Sequence, residues 1–119
     1  MSTIQTTLEN LLTLDGAMAA AIVDAESGMM LGAAGTGIDL ELAAAGNTEV
    51  VRAKMKTMRS LGLNDEIEDI LITLGRQYHI IRPSVRQNGV FIYYVLDKHR
   101  ANLALARRQA ATADKELDF

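Results

Sequence analysis

Four groups of residues have types and spacings that could do chemistry. Gly32-Ala33-Ala34-Gly35-Thr36-Gly37 follows a strand-like run and precedes a helical pattern, where a phosphate-cradling loop would sit. Its glycine order is G-x-x-G-x-G, not the dinucleotide G-x-G-x-x-G, and no Lys-Ser or Lys-Thr follows. It reads as a flexible connection needing unusual backbone angles. Asp65, Glu66, Glu68 and Asp69 place four carboxylates in five positions, oxygens that a hard cation would take. They lack the Gly and terminal Glu spacing of an EF-hand. On a strand, Glu66 and Glu68 would also face away from Asp65 and Asp69. A solvated or interaction-steering edge is the better reading.

The third group is Asp97-Lys98-His99, with His79 as the second of two histidines. A carboxylate beside an imidazole suggests a general base. No Gly-x-Ser-x-Gly elbow exists, however, and Ser27, Ser60 and Ser84 lack nucleophile context. Both histidines are therefore read as structural. The chain has no Cys, which removes disulfides, thiolate zinc sites and cysteine catalysis together. The expectation is a protein that is not an enzyme and carries no catalytic residue, metal or cofactor.

The fourth group is basic. Arg52, Lys56 and Arg59 lie at i, i+4, i+7 of a helical pattern, beside Val51, Met55 and Met58. These bases fit a solvated face bordering a core stripe. They equally fit a Met-rich seam that packs on a partner helix, with the bases flanking it. Ala43-Ala44-Ala45-Gly46, earlier in the same helix, would let another backbone approach closely. The residues by themselves leave both readings open.

The elements that must position these groups follow from composition and periodicity. With 119 residues, 49% of them hydrophobic and 23% charged, the chain fits one folded domain. Only 4% are aromatic and none is Trp, so Ala, Leu, Ile, Val and Met must build the core. Residues 1–51 carry seven acids and no Lys or Arg, whereas residues 52–119 carry twelve bases and eight acids. The bases alternate with acids and no aromatic platform interleaves them, which argues against nucleic acid. The apolar run Ala17 to Val23 is far short of the ~20 residues that span a bilayer. No basic residue precedes Arg52, as a leader peptide would require. A cytoplasmic protein without membrane insertion is expected.

Ile4, Leu8, Leu11 and Leu12 make the stripe of a short first helix, ended by Asp15-Gly16. Ala17–Val23 and Met29–Ala34 read as two strands joined at Glu26-Ser27-Gly28. Asp39 is the expected N-cap of a long helix reaching about Leu61, closed by Arg59 and Gly62. Three strands are expected next: Ile67–Leu74, Tyr78–Gln87 and Val90–Leu96. Asn88-Gly89 suggests a two-residue type I′ turn, and Pro83 a bulge or bend. A last helix carries Leu103, Ala106 and Ala110, and residues from about 110 to 119 are expected to fray. The order α-β-β-α-β-β-β-α with unbroken apolar strands predicts an α+β fold, one antiparallel sheet between helices.

Several strings in this order resemble the Roadblock family, first described among dynein light chains. They are Leu14-Asp15-Gly16, Ala19-Ala20-Ala21-Ile22-Val23-Asp24, Ser27-Gly28-Met29-Met30-Leu31, Ile70-Leu71-Ile72-Thr73-Leu74, His79-Ile80-Ile81-Arg82-Pro83, and Leu96-Asp97 with Ala101-Asn102-Leu103-Ala104. The resemblance spans nearly the whole chain. It implies a five-stranded sheet with the long helix on one face and the two terminal helices on the other. It also implies a homodimer paired through the third strand and the long helix, with Val51, Met55, Met58, Ile70, Ile72 and Leu74 at the interface. Family members regulate or scaffold small Ras-like GTPases, which makes Arg52, Lys56 and Arg59 the candidate partner surface. The alternatives are a small-molecule-sensing domain and a structural adaptor subunit of a larger complex.

Overall fold

Each helix begins on a side chain that accepts an otherwise unsatisfied backbone N–H. The computed structural model describes residues 3–119. Thr3 caps α1 (Ile4–Leu11), accepting from Thr6 N at 3.2 Å. Asp39 caps α2 (Leu40–Ser60) through Leu42 N at 3.2 Å, as expected. Asn102 caps α3 (Leu103–Glu116) through Leu105 N at 3.0 Å. The strands are β1 (Ala17–Asp24), β2 (Met30–Gly35), β3 (Ile70–Thr73), β4 (Gln77–Pro83) and β5 (Val90–Asp97). They form one antiparallel sheet in the order β2-β1-β5-β4-β3. The element order and the α+β class are those read from the sequence.

The central strands β1 and β5 are covered on both faces, which is why they read as unbroken apolar runs. One face puts Ala20, Ile22, Ile92, Tyr94 and Leu96 against Leu8 and Leu11 of α1 and Ala106 and Ala110 of α3. The other puts Ala21, Val23, Phe91, Tyr93 and Val95 against Ala44 and Val51 of α2. Three successive alanines in β1 leave little bulk, so Phe91, Tyr93 and Tyr94 of β5 fill the space beside them. Tyr94 also donates its hydroxyl to Leu11 O at 2.5 Å, tying the sheet to the end of α1. Burial pushes that phenol well above its ordinary pKa.

Three local expectations are corrected. The third strand starts at Ile70, not Ile67, and residues 63–69 are irregular. That segment is tied to its neighbours by side chains: Asp69 accepts two bonds from Arg107 on α3, at 2.9 and 3.1 Å. The β4–β5 connection is not a two-residue type I′ turn. Among the described residues no non-glycine has positive φ, so Asn88 cannot take its place in one. β4 ends at Pro83, and residues 84–89 form a longer loop closed by Val90 N on Gln87 O at 3.2 Å. Gly89 alone is positive, at φ +83°, the sign pattern of a type II turn.

The expected fraying after residue 110 is likewise wrong. α3 continues to Glu116, and Asp114 and Leu117 are fully buried. Asp114 accepts from Ser84 Oγ and from Val85 N, the latter at 2.9 Å, and so anchors the loop after β4.

Candidate protein-docking surface

The sheet order leaves β3 at an edge, paired only to β4. Its short ladder runs from Ile70↔Ile81 to Thr73↔Tyr78, and its other side carries unpaired backbone groups. Ile70 and Ile72 lean toward the α2 side and pack partly on the core beneath it. Leu71 faces the other way, and Leu74, just beyond the strand, is exposed.

Above this edge, α2 runs past the packed part of the sheet. Ala44, Thr48 and Val51 are its buried residues. From Arg52 onward its residues are exposed, except Met58, which is half-buried. The helix ends in a Schellman motif, with Gly62 N on Arg59 O and Leu63 N on Met58 O, both at 3.0 Å. This turn brings Leu63 back beside Met58 and leaves Leu61 and Leu63 65% and 52% exposed. Between the overhanging helix and residues 63–70 lies a cleft with two lobes, of about 460 and 520 Å³, sharing Met58, Leu63, Asp65, Glu66 and Ile67. Val85, 67% exposed, extends the apolar wall of the first lobe, and Arg59 stands at its rim.

The residues singled out in the sequence separate here into three kinds. Met55, Met58, Ile70, Ile72 and Leu74 lie on or next to this surface. Val51 does not: at 2% exposure it belongs to the core under α2, because the helix still crosses the sheet there. Arg52 is engaged as well. Its Nε donates to Ala25 O at 3.0 Å and its Nη2 to Glu26 O, fastening α2 to the β1–β2 turn. Lys56 and Arg59 are exposed, like Arg52, and complete the basic stripe.

The other candidate groups serve the architecture. Gly32 and Gly35 lie inside β2, not in a loop. A Cβ on Gly32 would stand 2.5 Å from Ile4 Cγ2, and one on Gly35 2.2 Å from Met18 O, so close packing accounts for both. Of the four clustered carboxylates, Asp69 is committed to Arg107, and no metal-holding group is found among the described residues. Asp97 Oδ1 accepts from the backbone N of His99 at 3.0 Å, a turn bond and not a charge relay. His79 is part of a part-buried hydrogen-bonded line whose partners, Gln77 and Tyr93, no sequence pattern singled out. No helix among the described residues is long and apolar enough to cross a membrane.

The sequence matches no family model, and no curated protein matches it. Solved structures do match. A Roadblock/LC7 domain from Streptomyces avermitilis superposes with a TM-score of 0.82 at 12% identity, over 96% of this chain and 93% of that one. The fold is that of a Roadblock/LC7 domain. The gliding protein MglB from Thermus thermophilus shares this Roadblock fold, with TM-score 0.81, 17% identity and coverage of 94% and 83%. MglB from Myxococcus xanthus does so with TM-score 0.82, 19% identity and coverage of 95% and 89%.

Proposed function

We infer that this Roadblock domain is a non-enzymatic homodimer that binds a small Ras-like GTPase as regulator or scaffold. The observation that carries the reading is the open β3 edge lying beside an overhanging, Met-bearing α2. A sheet edge with unpaired backbone groups and adjacent exposed leucines and methionines is a surface that a second chain covers. Two copies related by a two-fold axis would pair β3 with β3 and set the α2 ends together, with Met55, Met58, Ile70, Ile72 and Leu74 at the contact. The partner specificity comes from the sequence resemblance to the Roadblock family. Lys56 and Arg59, at the border of that contact, would complement acidic groups on a GTPase and mainly raise the association rate, an effect that salt weakens.

The homodimer is tested by light scattering, which should report twice the 12.9 kDa chain mass. A two-fold contact takes up each substitution twice, so Ile72→Asp should give monomer or unfolded chain. Leu103→Asp, on the opposite face, should unfold the domain without a distinct dimer defect. A native monomer in the parent protein contradicts the dimer.

A further inference from the structure

The sheet has a second open edge. β2 pairs with β1 alone, at the end of the sheet opposite β3. Thr36 N donates to Met18 O at 3.1 Å, in the same register that sets Ala34 opposite Ala20 and Gly32 opposite Ile22. Bonded pairs in an antiparallel ladder recur at every second residue, so Gly32 and Ala34 commit their backbone groups to β1. Ala33, between them, turns its N–H and C=O to the open side. The register shift between Ile22 and Val23 displaces Leu31 and leaves Gly32 to Ala34 in step. Residues 27–38 contain no charged residue and no Pro, two of the devices that keep a bare edge from pairing. Met29 and Leu31, at the start of this edge, are 68% and 43% exposed.

The charges around the edge decide what fits it. Asp24 and Glu26 stand at the β1–β2 turn, and Asp39 and Glu41 follow the other end of β2. Glu26, Asp39 and Glu41 are exposed. No Lys or Arg precedes Arg52, and the Arg52 guanidinium is turned to the carbonyls of Ala25 and Glu26. A second copy adding antiparallel through β2 would set Glu26 of one chain near Asp39 and Glu41 of the other. Acid would meet acid at both ends of the contact, because a two-fold axis repeats the clash. The β3 edge differs: Glu66 and Glu68 precede it and Arg76 follows it, so self-pairing there brings opposite charges together.

We propose that the β2 edge accepts an extended segment of a partner protein, uncharged at its centre and bearing Lys or Arg at both ends. The segment adds as a further strand. Its backbone bonds the free groups of Ala33, and its basic ends meet Glu26 on one side and Asp39 and Glu41 on the other. The six residues of β2, rising about 3.3 Å each, set those ends about 20 Å apart. The site lies at the far side of the sheet from β3 and does not depend on the dimer.

Amide chemical shifts of the full chain, titrated with the peptide Lys-Lys-Thr-Val-Thr-Val-Thr-Lys-Lys, test the edge. The peptide should shift the Ala33 amide and slow its exchange with solvent, leaving Leu71 and Thr73 of β3 unmoved. The same core flanked by Glu should bind at least about tenfold more weakly, through like-charge repulsion at the rim. Salt should narrow that difference. Glu26→Lys combined with Glu41→Lys should reverse the preference. Ala33→Pro removes the outward N–H and none bonded to β1, so it should abolish binding. Should that variant fail to fold, a peptide N-methylated at alternate core residues removes the same ladder from the other side, and it should not bind the parent. A Lys-flanked peptide that fails to bind, equal binding of the Glu-flanked or N-methylated peptide, or shifts at Leu71 and Thr73 in place of Ala33 would each overturn the proposal. So would concentration-dependent shifts of the Ala33 amide in the protein alone, which would give the edge to a second copy.

Discussion

Asp114 is the residue whose role departs most from its local sequence. It sits in a polar stretch, Ala113-Asp114-Lys115-Glu116, that by composition reads as a chain end. Its carboxylate is nevertheless fully buried, holding Ser84 Oγ and Val85 N and standing 3.8 Å from Arg82 Nε. All of these partners are about thirty residues away in the chain, so no local window contains the information. Asp114→Ala should cost about 1–3 kcal/mol, because it strands two part-buried donors and leaves Arg82 beside no charge. A denaturant melt measures this, and a loss under ~0.5 kcal/mol would place the residue among ordinary surface positions. Arg52 carries a similar lesson. Its spacing with Lys56 and Arg59 is real, but its guanidinium reaches back to carbonyls of the β1–β2 turn, contacts that helical periodicity cannot reveal. Arg52→Glu should therefore destabilise that turn as well as change surface charge, whereas Lys56→Glu should change charge alone. Paired melts of the two variants would separate these effects.

At the scale of elements, what was legible is what local physics encodes. The caps at Asp39 and Gly62, the stripes of α1 and α2 and the apolar runs of β1 and β5 all depend on residues within one or two turns or along one strand. What was not legible depends on distant contacts. β3 begins only after Asp69, which holds Arg107 of α3, and β4 ends at Pro83, before the loop that Asp114 anchors. The Asn88-Gly89 signal was right about the glycine and wrong about the turn. Gly89 has φ +83° and open space around its missing Cβ, so Gly89→Ala meets no atom and tests backbone strain alone. About 1 kcal/mol should be lost in a denaturant melt. A variant as stable as the parent would mean that residues 84–89 can adopt another turn at no cost.

At the scale of the molecule, the Roadblock fold persists at 12–19% identity to the solved structures it matches. The two buried faces need only small and branched apolar residues at the right parity, which many sequences supply. The candidate docking surface was legible only in part. Its methionines stood out by spacing, but Leu63 and Val85 join it through a helix-ending turn and a loop that bring distant residues together. A partner that changes nucleotide state is sensed through differential affinity for its two states, since a ligand shifts an equilibrium only by that difference. Ras-like GTPases differ between states mainly in their switch segments, so a regulator should prefer one state while a plain scaffold need not. The most direct measurement is calorimetry of this protein against the small GTPase proposed as its partner, loaded with GDP or with a GTP analogue, beside a titration of free nucleotide. The account predicts heat with the GTPase, weakened by salt and by Lys56→Glu, and none with nucleotide alone. Heat with free nucleotide and none with the GTPase would contradict it.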